Sequence, residues 1–414
     1  MKTIEVKTAD SCATPGLISV DQAIEKIVSQ VVPVTETEPV DILDALNRVL
    51  AEDLQSAINV PGYDNSAMDG YAVRSEDCQS TGAKLPVSQR IPAGQVGVAL
   101  EKGTAARIFT GAPIPEGADA VVMQEMCDTA GDDVVINIVV KSGANVRFAG
   151  EDIAQDSVVL NAGRRLRAQE LGLLASVGLA EFKVKRKLKV ATFFTGDEIV
   201  TPGQSLKPGQ IYNSNRYTLR GLLQAMDCEI IDLGIIPDTL KTTTTVLKQA
   251  VSGADLVITS GGVSVGEEDY VRVALEKLGE LSMWRIAMKP GKPVAFGKVD
   301  NTLFMGLPGN PVSVFVTFLI FARPMMLKMQ GVEDYSAKPT SVIADFDWRN
   351  VQRQEYLRVR LHQEGGQTLA RLYPHQGSGV LSSASWADGL VEVLIGTEIK
   401  KGDVITYFSF EGLF

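Results

Sequence analysis

Four short segments rich in glycine and proline carry the side chains best suited to chemistry. Thr195-Gly196-Asp197-Glu198 sets two adjacent carboxylates beside a glycine, a donor set suited to a hard divalent cation. Acids at the start of an ordinary helix would read the same way. Ser260-Gly261-Gly262-Val263-Ser264-Val265-Gly266 holds three glycines and two serines, so its backbone N–H groups can approach an anion closely, and Asp269 follows just beyond. It is neither a Walker loop nor a G-x-G-x-x-G turn. Lys289-Pro290-Gly291-Lys292-Pro293 stiffens a corner between two lysines, with Arg285 and Lys298 on either side; four cations within fourteen positions suit a phosphate or another oxyanion. Gly306-Leu307-Pro308-Gly309-Asn310-Pro311-Val312-Ser313 places Pro311 where a helix would begin, offering unpaired N–H donors, and Ser313 could add a hydroxyl.

Each segment follows a predicted strand. LKVATFF, CEIIDLGII, ADLVITS and NTLFMGL read as strands, and SNRYTLRGLLQAM, TTTVLKQAV and YVRVALEKLG as helices between them. MWRIAM and PVAFGKV are further strands, and PVSVFVTFLIFARPMMLKM is the last helix. Such alternation predicts an α/β domain with a parallel-type sheet covered on both faces, which binds ligands at the carboxyl ends of its strands. One sheet edge would then gather acids, an N–H cradle, two lysines and a helix N-terminus. That layout suits a phosphorylated substrate with a divalent cation. No Ser-His-Asp arrangement and no loop cysteine points to covalent nucleophilic catalysis.

Upstream, residues 55–154 read as a β-rich module of short strands and turns. Three of its loops are dense in polar residues: Pro61–Ala72, with Asp64, Asn65, Ser66 and Asp69; Thr110–Pro115; and Arg147–Asp152. Each could equally be turn chemistry. Helical spacing flanks the module, with Ser19 capping VDQAIEKIV, a second run in VDILDALNRVLAEDL (40–54), and RAQELGLLASVGL beyond it. The flanks therefore suggest one split helical domain with the β module inserted. The basic run KVKRKLK (183–189) reads as a solvated connector. From about residue 335 short alternating strands return, predicting a small barrel or sandwich.

Composition removes other classes. The 414 residues, 45% hydrophobic and 22% charged, suffice for about two to four globular domains. A net charge of −10 argues against coating nucleic acid or an anionic membrane, while leaving room for a local basic pocket. Cys12, Cys78, Cys127 and Cys228 form no C-x-x-C pair, and His362 and His375 are not at zincin spacing. The N-terminus lacks the apolar core of a signal peptide. The longest apolar run, Val312–Ala322, is too short to cross a bilayer, is ended by Arg323-Pro324 and reads as part of a buried helix. Scattered thiols and no leader predict a cytoplasmic protein.

The motifs PGYDNSAMDGYAV, FTGAPIPEGADAVVMQE, GEDI, TGDE, GQIYNSN, SGGVSVGEEDY, MKPGKP and GLPGNPVS together resemble the molybdopterin molybdenumtransferase family, to which the C-terminal part of gephyrin belongs. They occur in that family's order from about residue 17 to the end. The resemblance implies a multi-domain α/β plus β protein. Its domains would be a small split helical domain (16–54 and 155–187), an inserted β-rich domain (55–154), a molybdopterin-binding α/β domain (188–334) and a C-terminal β-barrel-like domain (335–414). It implies insertion of molybdate into adenylylated molybdopterin with release of AMP, dependence on Mg2+, and a homodimer. Partners would be a molybdopterin adenylyltransferase and molybdoenzymes or cofactor-delivery proteins, with no nucleic acid or membrane.

Carried over residue by residue, Asp69 and Thr110 match positions facing the site, and Asp152 matches the GEDI acid. Glu198, Asp238 and Asp269 match acids around pterin and metal, Glu198 and Asp269 being the metal ligands. Lys289 and Lys292 match the lysine pair. Ser313, Arg358 and Ser378 match an anion pocket for molybdate. Ser260, Gly261, Gly262, Ser264, Pro308, Gly309, Asn310 and Pro311 would bind substrate. The family commonly carries a lysine where Arg285 stands, and arginine is not a neutral replacement. The rival readings are a molybdopterin adenylyltransferase, which would consume ATP, and a non-catalytic gephyrin-like scaffold.

Overall fold

The computed structural model describes residues 17–262, 270–350 and 352–413. They divide into two compact units: one holding the chain up to Glu38, Asn47–Val49 and everything from Val184 onward, the other Pro39–Leu46 and Leu50–Lys183.

The larger unit is built on a seven-stranded sheet. Its elements are β1 (Leu17–Ile18), α1 (Val20–Ser29), β2 (Lys189–Thr195), α2 (Ser214–Ala225), β3 (Glu229–Ile236), α3 (Leu240–Val251), β4 (Leu256–Ser260), α4 (Tyr270–Leu278), β5 (Glu280–Ile286), β6 (Pro293–Val299), β7 (Thr302–Leu307) and α5 (Pro311–Met329). Strand order is β1-β5-β6-β7-β4-β2-β3. The β3-β2-β4-β7 block is parallel. Its central strands are buried along almost their whole length, as a sheet covered on both faces requires. Leu219, Leu223 and Val314 pack on one face; Leu247, Val271 and Leu275 pack on the other.

The β7-β6-β5 pairings are antiparallel, because β5, β6 and β7 follow one another without intervening helices, and β1 adds a parallel edge to β5. The register Ala295↔Gly306 and Val299↔Thr302 puts the Asp300–Asn301 turn at one edge. It brings the Lys289–Pro293 corner to the other, where β2, β4 and β7 also end.

Helix α5 runs 19 residues through Arg323-Pro324, the span that reads as the last helix in the sequence. A wide π turn at Phe318–Ala322, closed by the Arg323 N–H donating to the Phe318 carbonyl, precedes the proline. That turn accommodates the ring and the missing donor. The helix is long and apolar enough to cross a membrane, but 89% of its most apolar window is buried inside the protein. Helix α1 packs in this same core through Val20, Ala23 and Ile27, and Lys328 Nζ donates to the Val28 carbonyl at 2.9 Å. By contact α1 falls in the larger unit, whereas residues 155–183 fall in the smaller one.

The rest of the larger unit is a closed five-stranded barrel: β8 (Thr340–Ala344), β9 (Gln354–Glu364), β10 (Gln367–Leu372), β11 (Gly389–Val393) and β12 (Val404–Ser409). It closes through the β9–β11 pairing around Val342, Leu357, Val359, Val391 and Ile405. The basic run is paired rather than solvated: Arg186 grips Asp255 at 2.7 and 2.9 Å, and Lys187 binds Asp227 at 2.6 Å.

The smaller unit centres on a six-stranded mixed sheet, in the order 120–123, 70–73, 105–108, 83–91, 133–136, 127–130. Leu85, Val122 and Val134 pack on one face, Ile91, Ile108 and Val121 on the other. The expected helix at 40–54 is absent. The chain there forms a strand to Asp41, one 3-10 turn at Ile42–Asp44, and extended pairings. Asp41 Oδ1 accepts from Leu43 N at 2.9 Å, and the Leu50 and Ala51 N–H groups donate to the Arg164 and Lys183 carbonyls. Local side-chain capping and long-range pairing override the helical spacing. The one α-helix near the far flank is Ala168–Ser176.

Candidate active site

A cleft of about 320 Å³ opens at the carboxyl edge of the parallel strands. Thr195 and Glu198 reach it from the end of β2, Ser260 and Gly261 from β4, and Gly309, Asn310 and Pro311 from the β7–α5 turn. Gly379 of the barrel also lines it. Glycine is needed at the β4 turn. Gly261 and Gly262 have φ of +86° and +65°, and a Cβ on Gly262 would stand 2.6 Å from Val271 Cγ2. The turn is tied down by Gly261 N donating to the Leu307 carbonyl at 3.2 Å. Gly196 (φ +144°) lets the Glu198 carboxylate fold over it; a Cβ there would lie 2.5 Å from Glu198 Oε2.

Sequence reasoning passed over Asn213 and Asn215 as site residues. The short parallel pair Ile199–Val200 and Ile211–Tyr212 delivers them. Asn213 caps α2, accepting from Arg216 N at 3.1 Å. Asn215 Nδ2 donates to Ser260 Oγ (3.1 Å) and to the Gly309 carbonyl (2.7 Å), joining the two glycine turns. Its Oδ1 and the Asn213 Nδ2 are buried without partners among the described residues, the mark of a site made for a polar guest. The available signal was N-S-N directly before a helical run, a capping pattern.

The other residues named from the sequence fall into place unevenly. Asp238 accepts from Thr195 Oγ1 at 2.7 Å, so it braces the cleft wall. Ser264 and Asp269 lie outside the described residues. Pro308 is buried. Ser313 is also buried, inside α5, its carbonyl accepting from Thr317 Oγ1 at 2.6 Å. Lys289 sits at the same sheet edge but is paired with Glu355 of the barrel at 2.8 Å. Lys292 is exposed and makes no ion pair among the described residues. The Gly291 corner packs on Thr317 of α5.

Arg358 is 1% exposed. It donates to Ser383 Oγ (3.1 Å) and to the Tyr356 and Gly377 carbonyls (3.2 Å each). Desolvation pulls its pKa down to about 10. It organises the loop that carries Ser378, whose carbonyl accepts from Val312 N at 3.0 Å near the start of α5.

In the smaller unit the three polar loops converge. Ile114 N donates to the Asp64 carbonyl, Gly111 N to the Ser66 carbonyl, and Ala149 N to Asp64 Oδ1. Val146 and Arg147 pair with Ser66 and Asn65. Asp69 Oδ1 accepts from both the N–H and the Oγ1 of Thr110 at 2.8 Å, which lowers its pKa through the backbone donor first. Asp152 is exposed on the third loop, its N–H bonded to the Val60 carbonyl. The thiols of Cys78, buried, and Cys127, half-buried, are pushed up to about 11 by desolvation, so neither is an activated nucleophile. Cys12 lies outside the described residues.

A polar cleft at the strand ends of an open α/β sheet defines a ligand-binding protein of the doubly wound class. Comparison with known proteins narrows this. Residues 18–178 match the MoeA N-terminal region (domain I and II), 191–328 a probable molybdopterin binding domain, and 341–410 the MoeA C-terminal region (domain IV). Molybdopterin molybdenumtransferase of Haemophilus influenzae is 44% identical over 372 residues, covering 89% of this chain and 92% of its own. Gephyrin of Dictyostelium discoideum is 36% identical, covering 76% of this chain and 50% of its own. The crystal structure of the molybdopterin biosynthesis moeA protein from Pyrococcus horikoshii superposes with a TM-score of 0.82 at 30% identity, covering 95% of this chain and all of that one. The chain belongs to the molybdopterin molybdenumtransferase family.

Proposed function

We propose that this protein inserts molybdenum into molybdopterin, taking molybdate and adenylylated molybdopterin and releasing AMP. Family membership supports the reaction class. The observation that carries the assignment to this site is the cleft itself. Two glycine turns and the start of α5 meet there, joined by Asn215, and leave room for an anionic ligand.

The guests are all anions: a phosphate, a phosphoanhydride and molybdate. Bringing them together costs repulsion that cations and oriented N–H groups must offset. The glycine turns allow close backbone approach. Lys292 supplies an exposed positive charge at the same sheet edge. Lys289, held against Glu355, supplies a fixed one with less net field. Water or molybdate oxygen attacks the anhydride phosphorus and AMP leaves as the P–O bond breaks, while the dithiolene sulfurs replace molybdate oxygen, which departs as water with the thiol protons and leaves the oxidation state of molybdenum unchanged; no protein nucleophile is required.

Mg2+ suits this donor set. It takes one or two carboxylates and completes its shell with phosphate oxygens and water. Glu198 is the carboxylate lining the cleft, and among the described residues no cage of three or more His, Cys, Asp or Glu competes with that arrangement. Glu198 would hold the ion, with Asp269 as the second proposed ligand, and the bound ion would polarise the anhydride. We further propose a homodimer that receives its substrate from an adenylyltransferase and passes product to molybdoenzymes or delivery proteins.

The test is molybdate-dependent AMP release by Lys292→Ala and Glu198→Gln. Both variants are expected to fold and to lose it. Full activity in both overturns the assignment. Consumption of ATP with unadenylylated molybdopterin by the parent protein would favour the adenylyltransferase reading instead.

A further inference from the structure

In the smaller unit, the Asp69 carbonyl and one of its carboxylate oxygens are both held by hydrogen bonds. The carbonyl accepts from Gln124 N at 3.1 Å, and Oδ1 takes both Thr110 bonds. Gly70 follows with no space for a side chain, since a Cβ would lie 1.9 Å from the Val122 carbonyl oxygen. Oδ2 is left without a partner among the described residues, on an exposed side chain.

One residue reaches all three segments involved. Arg107 stands directly across the antiparallel ladder from Tyr71. Its Nη1 donates to the Gly70 carbonyl at 2.9 Å and its Nη2 to Gln124 Oε1 at 2.6 Å. Its guanidinium is stacked against Tyr71 and Phe109, 5.2 and 4.7 Å from the ring centroids. Arg90 stacks on Phe109 as well, at 4.5 Å. Phe109 immediately precedes Thr110, so the stack also fixes the donor end of the Asp69–Thr110 pair. Arg107 forms no ion pair with a carboxylate among the described residues, so its charge is not spent in a salt bridge.

We propose that Arg107 is the positioning residue of the Asp69–Thr110 pair: its planar fork locks the 69–71, 107–110 and 123–124 segments so that Asp69 Oδ2 projects in one orientation. Only arginine offers two divergent donors and a stacking face together. Arg107 does not touch substrate. The inference rests on the reading that Asp69 and Thr110 act in the reaction. Its positive charge also adds to the lowering of the Asp69 pKa, behind the Thr110 bonds.

The experiment compares Arg107→Ala, Arg107→Lys and Asp69→Asn in the full chain. It reads molybdate-dependent AMP release, the Asp69 carboxyl titration by NMR and the Thr110 amide signal. Arg107→Ala is expected to raise the Asp69 pKa, shift the Thr110 amide and lower kcat on the order of 10- to 100-fold with KM within about twofold, as expected for a misplaced group. Arg107→Lys, which keeps the charge and the fold but not the fork, is expected to restore the titration more than the rate. An unchanged Asp69 titration and Thr110 signal in both Arg107 variants overturns the proposal whatever the activity. Full activity of Asp69→Asn removes Asp69 from the reaction and with it that part of the functional reading, while the NMR arm still decides whether Arg107 positions it.

Discussion

The glycines of the cleft differ in what a methyl group would meet, and that difference separates folding from binding. Gly262 has φ +65°, and its Cβ would lie 2.6 Å from Val271 Cγ2 and 3.0 Å from Thr195 Cγ2. The left-handed backbone costs an L-residue about 1–2 kcal/mol. Forcing a methyl into a packed core adds about 1–3 kcal/mol. Gly262→Ala should therefore destabilise by about 2–5 kcal/mol, lowering the melting temperature by roughly 4–20 °C. Gly309 is not in the left-handed region, and its Cβ would find only Gly261 Cα, at 4.0 Å. Gly309→Ala should change stability by no more than about 0.5 kcal/mol. It would nonetheless set a methyl between the two facing turns, and a misplaced carbon in a fitted pocket weakens binding about tenfold or more. Thermal melting and calorimetric titration with AMP measure the two effects separately. Unchanged AMP affinity in Gly309→Ala would refute the cleft as the ligand site. Parent-like melting of Gly262→Ala would refute the packing of the turn.

Two further outcomes follow from buried charges. Glu170, 4% exposed, accepts from Arg164 and from Arg167 (Nη2 at 2.6 Å, N at 3.0 Å), and the Arg167 hydrogen bond leads in lowering its pKa to about 2. A folded-state pKa below the unfolded one stabilises above the unfolded value and loses that contribution as pH falls through the folded one. With both arginines half-exposed and screened, Glu170→Gln should cost about 2–3 kcal/mol at neutral pH, with the gap to the parent closing in acid melts between about pH 5 and 2; a gap independent of pH would show that the ion pairs contribute nothing. Arg358→Ala strips donors from Ser383 and from the Tyr356 and Gly377 carbonyls inside the protein, so a loss on the order of 3 kcal/mol is expected in denaturant melts. Parent-like stability combined with lost activity would instead make Arg358 a direct anion ligand.

The strand–helix alternation from Lys189 onward was legible because buried parallel strands are short, nearly continuous apolar runs, and each ends in a turn that only glycine and proline permit. Residues 40–54 were not legible. They carry helical spacing, yet Leu43 is 88% exposed, and the partners of Leu50 and Ala51 lie more than a hundred residues downstream. Periodicity reports local preference, and here distant backbone pairing decides. By contrast, the apolar run across Arg323-Pro324 was legible as one helix, and the π turn at Phe318–Ala322 is what accommodates its proline.

The same contrast sorts the candidate site. Residue types at strand ends told where the chemistry would gather, and Glu198, Ser260, Gly261, Gly309, Asn310 and Pro311 do share one cleft. Sequence could not tell which polar groups are already spoken for, since partners come from elsewhere in the fold. Lys289 is paired with Glu355, Arg358 is enclosed among carbonyls, Ser313 is buried in α5, and Asp238 holds Thr195. These shape the site, because moving any of them toward a ligand would leave a buried partner unsatisfied. Among the described residues of the larger unit, groups whose bonding capacity is open include Glu198, Lys292, the Asn215 Oδ1 and the Asn213 Nδ2. A ligand can recruit those without breaking anything, so the energy of binding them goes into the ligand and not into repairing the protein.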